Sequence, residues 1–317
     1  MADVDVLSGD RFELGEGGRW VGDQVLLVNI PAGRLYRTPV DDMTQLTEIA
    51  HLDVPLAAIA PVADRPGVYL AAAGTGFTLI GAETETGAKT ETGAETDTSA
   101  ETKLGQPEPV TDREWRMNDA IADRAGRLWA GSMACDQTKG CGALYRLDPD
   151  GSVRTVLRSL TIANGPAFSP DGRVMYLSDT PLGHIDAFDV SPAGELSNRR
   201  PFARLDPEQG APDGLTVDSD GYVWAALFGG GAVQRFRPDG EPDRRVPVPA
   251  RQPTSVCLAG DTLVVTSGRG GLDDPADADG AVMITPAGAT GIPALPVRLN
   301  ALAAEEERRV AKGTKTP

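Results

Sequence analysis

The chain is short of the residues that build the commonest catalytic and metal centres. Its 317 residues include two histidines, three cysteines and 5% aromatics. Three cysteines in a chain this long do not make a disulfide framework, so a reduced, cytoplasmic protein is expected; Cys135 and Cys141 flank a short loop and would pair only under oxidation. Basic residues are also scarce: 30 Lys and Arg stand against 46 Asp and Glu, a net charge of −16. Nucleic acids and anionic membranes gain affinity from basic patches, so neither is an expected partner. No apolar run approaches the roughly 18 residues of a membrane span. The opening MADVDVLSGDRFELGE has no basic and no apolar region, so no signal peptide is expected.

Glycine (37) and proline (25) are plentiful. Both punctuate turns, which predicts many short strands rather than a few long helices. A glycine followed by a short alternating apolar strand recurs six times, at Gly33, Gly76, Gly142, Gly183, Gly231 and Gly280. The intervals are 43, 66, 41, 48 and 49 residues. Ahead of each glycine lie two more strand-like runs joined by a turn, as in GLTVD, SDG, YVWAALF. About four antiparallel strands per repeat is the size of a propeller blade. The predicted fold is all-β, a six-bladed β-propeller with a central channel, spanning residues 1–300 as one domain. A strand around Arg11–Leu14 is expected to complete the last blade and leave no open edge. Residues 301–317 read as a charged tail.

The one long interval has a visible cause. Residues 82–108 are set apart as an acidic loop insertion. Its low-complexity part, 82–103, carries six acids, two lysines and no aromatic or branched aliphatic residue. Such a stretch buries too little apolar area to order itself, and is read as a disordered spacer without function.

In a propeller the first strand of each blade lines the channel, so residues at the start of those strands converge. Counting back from the marker glycines gives Glu16, Asn118, Asn164 and Asp213; the corresponding places in blades two and six fall near Ala57 and Thr254. Asx residues beside glycine, as in Asn164-Gly165 and Asp213-Gly214, taken alone are turn formers. Four oxygen-bearing side chains at one blade position form a hard cage instead, suited to Ca²⁺, Mg²⁺ or Mn²⁺, with Zn²⁺ also open to carboxylates.

These residues resemble the gluconolactonase, regucalcin and luciferin-regenerating enzyme family. The motifs are Gly15-Glu16-Gly17 with Trp20, Arg116-Met117-Asn118-Asp119, Gly126 through Met133, Asn164-Gly165, Ser169-Pro170-Asp171-Gly172, Ser197 through Arg200 and Pro212-Asp213-Gly214-Leu215. The resemblance implies one divalent metal ion held by Glu16, Asn164 and Asp213, with Asn118 completing the shell or orienting substrate. It also implies substrate contacts from Arg116 and Asp136. The chain departs from the family pattern at Gly18, Ala120 and Asn29, which removes no proposed ligand.

The expected activity is metal-dependent hydrolysis of a small lactone, a gluconolactone-like aldonolactone or related hydroxy-acid lactone, by metal-activated water. Asp213 is the favoured general base, the alternative being attack by the activated water without it. Arg116, two residues before Asn118, shares its strand face if the segment is extended. His51 and His184 do not start channel-lining strands, and there is no Gly-x-Ser-x-Gly elbow. Trp129 and Trp224 are read as packing between blades. Two other functions stay open: non-hydrolytic chemistry in specialised metabolism at the same metal site, and a non-catalytic calcium-binding propeller.

Overall fold

The computed structural model describes residues 4–7, 9, 11–81, 102–108 and 111–300. They form six four-stranded antiparallel sheets arranged as the blades of a propeller. Blades one to five cover 15–51, 56–105, 115–160, 163–204 and 211–247, and blade six covers 253–286. The inner strands are Gly15–Val21, Leu56–Val62, Trp115–Ala122, Ala163–Phe168, Ala211–Val217 and Pro253–Ala259. Each packs on the next, and that of blade six packs on that of blade one, so the ring closes. No helix among the described residues is long and apolar enough to cross a membrane.

The closing strand is not the expected one. Asp5–Val6 pairs with Met283–Pro286 as the outer strand of blade six. Arg11–Leu14 carries the chain from that outer edge to the axis, where blade one begins. A connector of this kind is unavoidable, because an outer strand and the next inner strand lie at opposite edges of neighbouring sheets. Phe12 anchors it, fully buried with its ring 4.9 Å from that of Tyr36.

The insertion is also shorter than expected. Thr102–Gly105 pairs with Gly76–Gly81 as the outer strand of blade two. Glu108 is buried, accepting from the hydroxyls of Ser132 at 2.5 Å and Tyr145 at 2.8 Å. The strand takes its order from its neighbour, which composition alone does not reveal. Residues 82–101 and the tail, 301–317, lie outside the described residues.

Two aspartates fasten blades to their hairpin turns. Asp123 accepts from the backbone of Ala125 and Arg127, and from the indole of Trp129 at 2.7 Å. Asp218 repeats this with Asp220, Tyr222 and Trp224. Both tryptophans are fully buried, as packing residues between blades should be.

Residues 287–300 add no blade strand. They cross the end of the channel remote from the inner-strand starts, bonding to Gly260, Trp20, Pro61, Gly126 and Pro149 in turn. Ile292–Leu295 roof a cavity of about 90 Å³ there.

Candidate active site

Every inner strand carries a break in register near its start. The breaks fall between Glu16 and Arg19, Leu56 and Ala58, Met117 and Ala120, Asn164 and Ala167, Pro212 and Leu215, and Pro253 and Val256. A bulge interrupts strict alternation and re-aims side chains. Here it lets successive residues face the axis together, at one level in six blades. Asn164-Gly165 and Asp213-Gly214 therefore lie inside strands and not in turns. Gly165 has φ +53°, and a Cβ there would meet the backbone nitrogen of Leu215 at 2.5 Å. Only glycine lets blade four approach blade five so closely beside Asp213.

Glu16, Asn118, Asn164 and Asp213 are each about 95% buried, with 4–5% of their surface exposed. Asn118 donates to the Ala163 carbonyl at 3.0 Å and accepts from Arg116 at 2.6 Å. The Asn164 amide nitrogen donates to Thr180 Oγ1 at 3.1 Å and to the Asp213 carboxylate. Glu16 accepts from the Gly17 backbone at 3.0 Å. Asp136 is not drawn into this cluster. It stands exposed on the loop after Ala134, capping the Thr138 nitrogen at 3.0 Å and lying 3.6 Å from Arg113. Ala57 and Thr254 sit at the equivalent inner-strand places, Thr254 turned onto the Gly15 carbonyl.

The electrostatics of the centre are those of carboxylates crowded away from water. Burial, then the charge of Asp119, pushes Glu16 up to about 8. Burial, then Glu16 and Asp119, raises Asp213 well above the carboxylate range. Burial also lowers Arg116, against the pull of Glu16 and Asp213. Three carboxylates (Glu16, Asp119, Asp213) face two guanidiniums (Arg19, Arg116), so full ionisation would leave one negative charge in excess, and burial opposes it. The side-chain carbonyl oxygen of Asn164 is buried with no partner. Carboxylates whose ionisation is opposed by burial and by one another, beside an orphaned oxygen acceptor, are what a hard cation would satisfy. Among the described residues no group of three His, Cys, Asp or Glu is arranged as a metal site, so a cation would rest on two carboxylates and a carboxamide.

Comparison with known proteins bears on what this centre is. The family model described as SMP-30/Gluconolactonase/LRE-like region matches residues 14–269. The chain belongs to the SMP-30/gluconolactonase/LRE-like family. Within it, the chain is 35% identical over 282 residues to an L-arabinolactonase of Azospirillum brasilense, covering 86% of this chain and 87% of that one. Regucalcin of Homo sapiens is 31% identical over 306 residues, covering 91% and 96%. A solved luciferin-regenerating enzyme superposes with TM-score 0.83 at 27% identity, covering 94% and 100%. A calcium-binding protein, regucalcin from Agrobacterium tumefaciens, gives 0.81 at 26%, covering 94% and 98%.

Sequence reasoning missed part of this family member's centre. Asp119 is 3% exposed, pairs with Arg19 across the channel at 2.6 Å, and is felt by both Glu16 and Asp213. Arg19 also donates to the Ala120 carbonyl at 2.5 Å. Ser178 was missed as well: its hydroxyl donates to the backbone carbonyls of Asn164 at 3.1 Å and Asp213 at 2.9 Å, fixing the two strands to each other. Asp119 had a signal in its place beside Asn118. Arg19 and Ser178 had none, because nothing local says which blades meet across the channel.

Proposed function

We propose that this protein is a divalent-cation-dependent hydrolase that opens a small lactone, of the aldonolactone or related hydroxy-acid class. The observation that carries the reading is the unpartnered Asn164 side-chain oxygen beside Asp213, in a centre where burial and neighbouring carboxylates raise the pKa of both Glu16 and Asp213. Family membership and the relative named an L-arabinolactonase support it.

Glu16, Asn164 and Asp213 would hold the ion; Ca²⁺, Mg²⁺, Mn²⁺ and Zn²⁺ all suit oxygen donors. When bound it would supply Lewis-acid polarisation of the lactone carbonyl and make nearby water more acidic. Asn118 and Arg116, already bonded to each other, would orient the ring through its oxygens. Asp213, which a bound cation would keep ionised, takes a proton as water oxygen bonds to the carbonyl carbon. The bond from that carbon to the ring oxygen then breaks, and the proton passes to the departing oxygen, leaving the open hydroxy acid. Arg116, partly buried and charged, stabilises the developing oxyanion. Asp136, on the rim loop, would meet only a part of the substrate that projects from the mouth.

The deciding experiment is a pH-stat assay on gluconolactone, arabinonolactone and simple alkyl lactones. The protein is used as purified, after chelation, and after return of each ion. Hydrolysis lost on chelation and restored by an ion is expected, with Asp213→Asn lowering kcat/KM by about 10²–10⁴. Turnover that survives both chelation and Asp213→Asn defeats the reading. Tight cation binding with no lactone turned over would make the protein a binding propeller.

A further inference from the structure

A second cavity, of about 320 Å³, lies within blade two and against the first residue of blade three's inner strand. Val54, Pro55, Phe77, Thr78, Lys103 and Trp115 are among its walls. Among the described residues no Asp or Glu lines it, in a chain whose net charge is −16.

Two of the wall residues carry a buried polar atom that lacks a partner. The chain has four tryptophans, and three satisfy their indole N–H: Trp20 on the Gly22 carbonyl at 2.8 Å, Trp129 on Asp123 at 2.7 Å, Trp224 on Asp218 at 3.0 Å. Trp115 Nε1 is buried with no acceptor. Thr78, 6% exposed, has a buried hydroxyl that is equally unpartnered. Buried indole and hydroxyl groups ordinarily find a partner. Gln106 and Thr75, also on the wall, bond to each other at 2.8 Å and so close the rim.

We propose that this cavity is a separate ligand site for a small organic monoanion with an apolar body. Its carboxylate would accept from Trp115, Thr78 and the Lys103 ammonium, and its body would lie on Val54, Pro55 and Phe77. A buried donor, a hydroxyl and a lysine, with no acid among the described wall residues, select an anion, and the apolar walls select against a bare inorganic one. The assignment is independent of the lactone chemistry. The site does share a strand with the centre: Trp115 precedes Arg116, and the Met117 nitrogen donates to the Gly74 carbonyl on the cavity wall at 2.8 Å.

The test uses the full chain labelled with ¹⁵N, where each tryptophan gives one indole signal and Trp115→Phe identifies the relevant one. Sodium hexanoate should move the Trp115 signal alone, saturably, while the other three report an unchanged fold. Hexanamide should bind about tenfold or more weakly, and Lys103→Met should weaken hexanoate by a similar factor. Thr78→Val, which keeps the shape, should weaken it too. A Trp115 signal that never moves overturns the proposal, the cavity then holding water alone. Equal binding of hexanamide, undiminished in Lys103→Met, overturns the choice of an anion.

Discussion

The side-chain amide of Asn164 donates to the carboxylate of Asp213 across the join between blades four and five, while the carbonyl oxygen of that same amide is buried without a partner. The amide thus holds one candidate ligand in place and keeps its own acceptor free. Asn164→Ala removes both services. Calorimetric titration with Ca²⁺ should show affinity falling about 10–100-fold, with Asn164→Asp retaining much of it. Unchanged affinity in Asn164→Ala would mean that this oxygen is not a ligand.

Glu16 makes the stability of the chelated protein depend on pH in a definite direction. Its folded value, about 8, lies above the ordinary 4.5, chiefly through burial and then through Asp119. Between those values the folded chain holds a proton that the unfolded chain has released. Stability is therefore full below the unfolded value and declines as pH rises towards the folded one. Urea midpoints of chelated protein should fall between pH 5 and 8, and Glu16→Gln should flatten the decline. A wild-type profile already flat across that range would contradict the account.

Asp218 has no exposed surface and accepts from two backbone nitrogens, the Trp224 indole and Arg235, the last at 2.7 Å. Asp218→Ala leaves these donors facing a void and Arg235 without one of its two carboxylates. Removing one partner of such a buried pair costs about 3–5 kcal/mol. Denaturant titration should show that loss at an unchanged m-value, with Asp218→Asn losing less. A drop within about 0.5 kcal/mol, the range of ordinary surface changes, would show that the network carries little.

The blades were legible because the pattern that builds them is local. A glycine before each third strand and a turn between the first two repeat along the chain, so spacing alone gives six units. The four inward positions followed from that count. Asp119 did not, because alternation assigns it the face opposite Asn118, and the register break between Met117 and Ala120 cancels the alternation. The Arg19–Asp119 pair joins blades one and three, 100 residues apart. The closing strand was misplaced for a related reason: apolar residues at Phe12 and Leu14 resemble a strand, but their burial serves a connector.

Gly291 marks where the segment that seals the far end of the channel is held. Its nitrogen donates to the Gly260 carbonyl at 2.7 Å, and a Cβ there would lie 2.0 Å from the Leu258 carbonyl oxygen. Gly291→Ala cannot be seated without moving either the segment or the inner strand of blade six. The segment is the softer, being held by only one or two backbone hydrogen bonds to each blade that it crosses, so it should detach. Trypsin should then cut faster at exposed Arg298, and stability should fall by about 1–3 kcal/mol, as for other overpacked sites. Cation affinity should stay within about twofold of the parent, because the candidate ligands lie at the opposite ends of the inner strands. A loss of affinity matching the loss of stability would mean that the two ends of the channel move as one body, and that the segment is part of the ring's closure and not a cover over it.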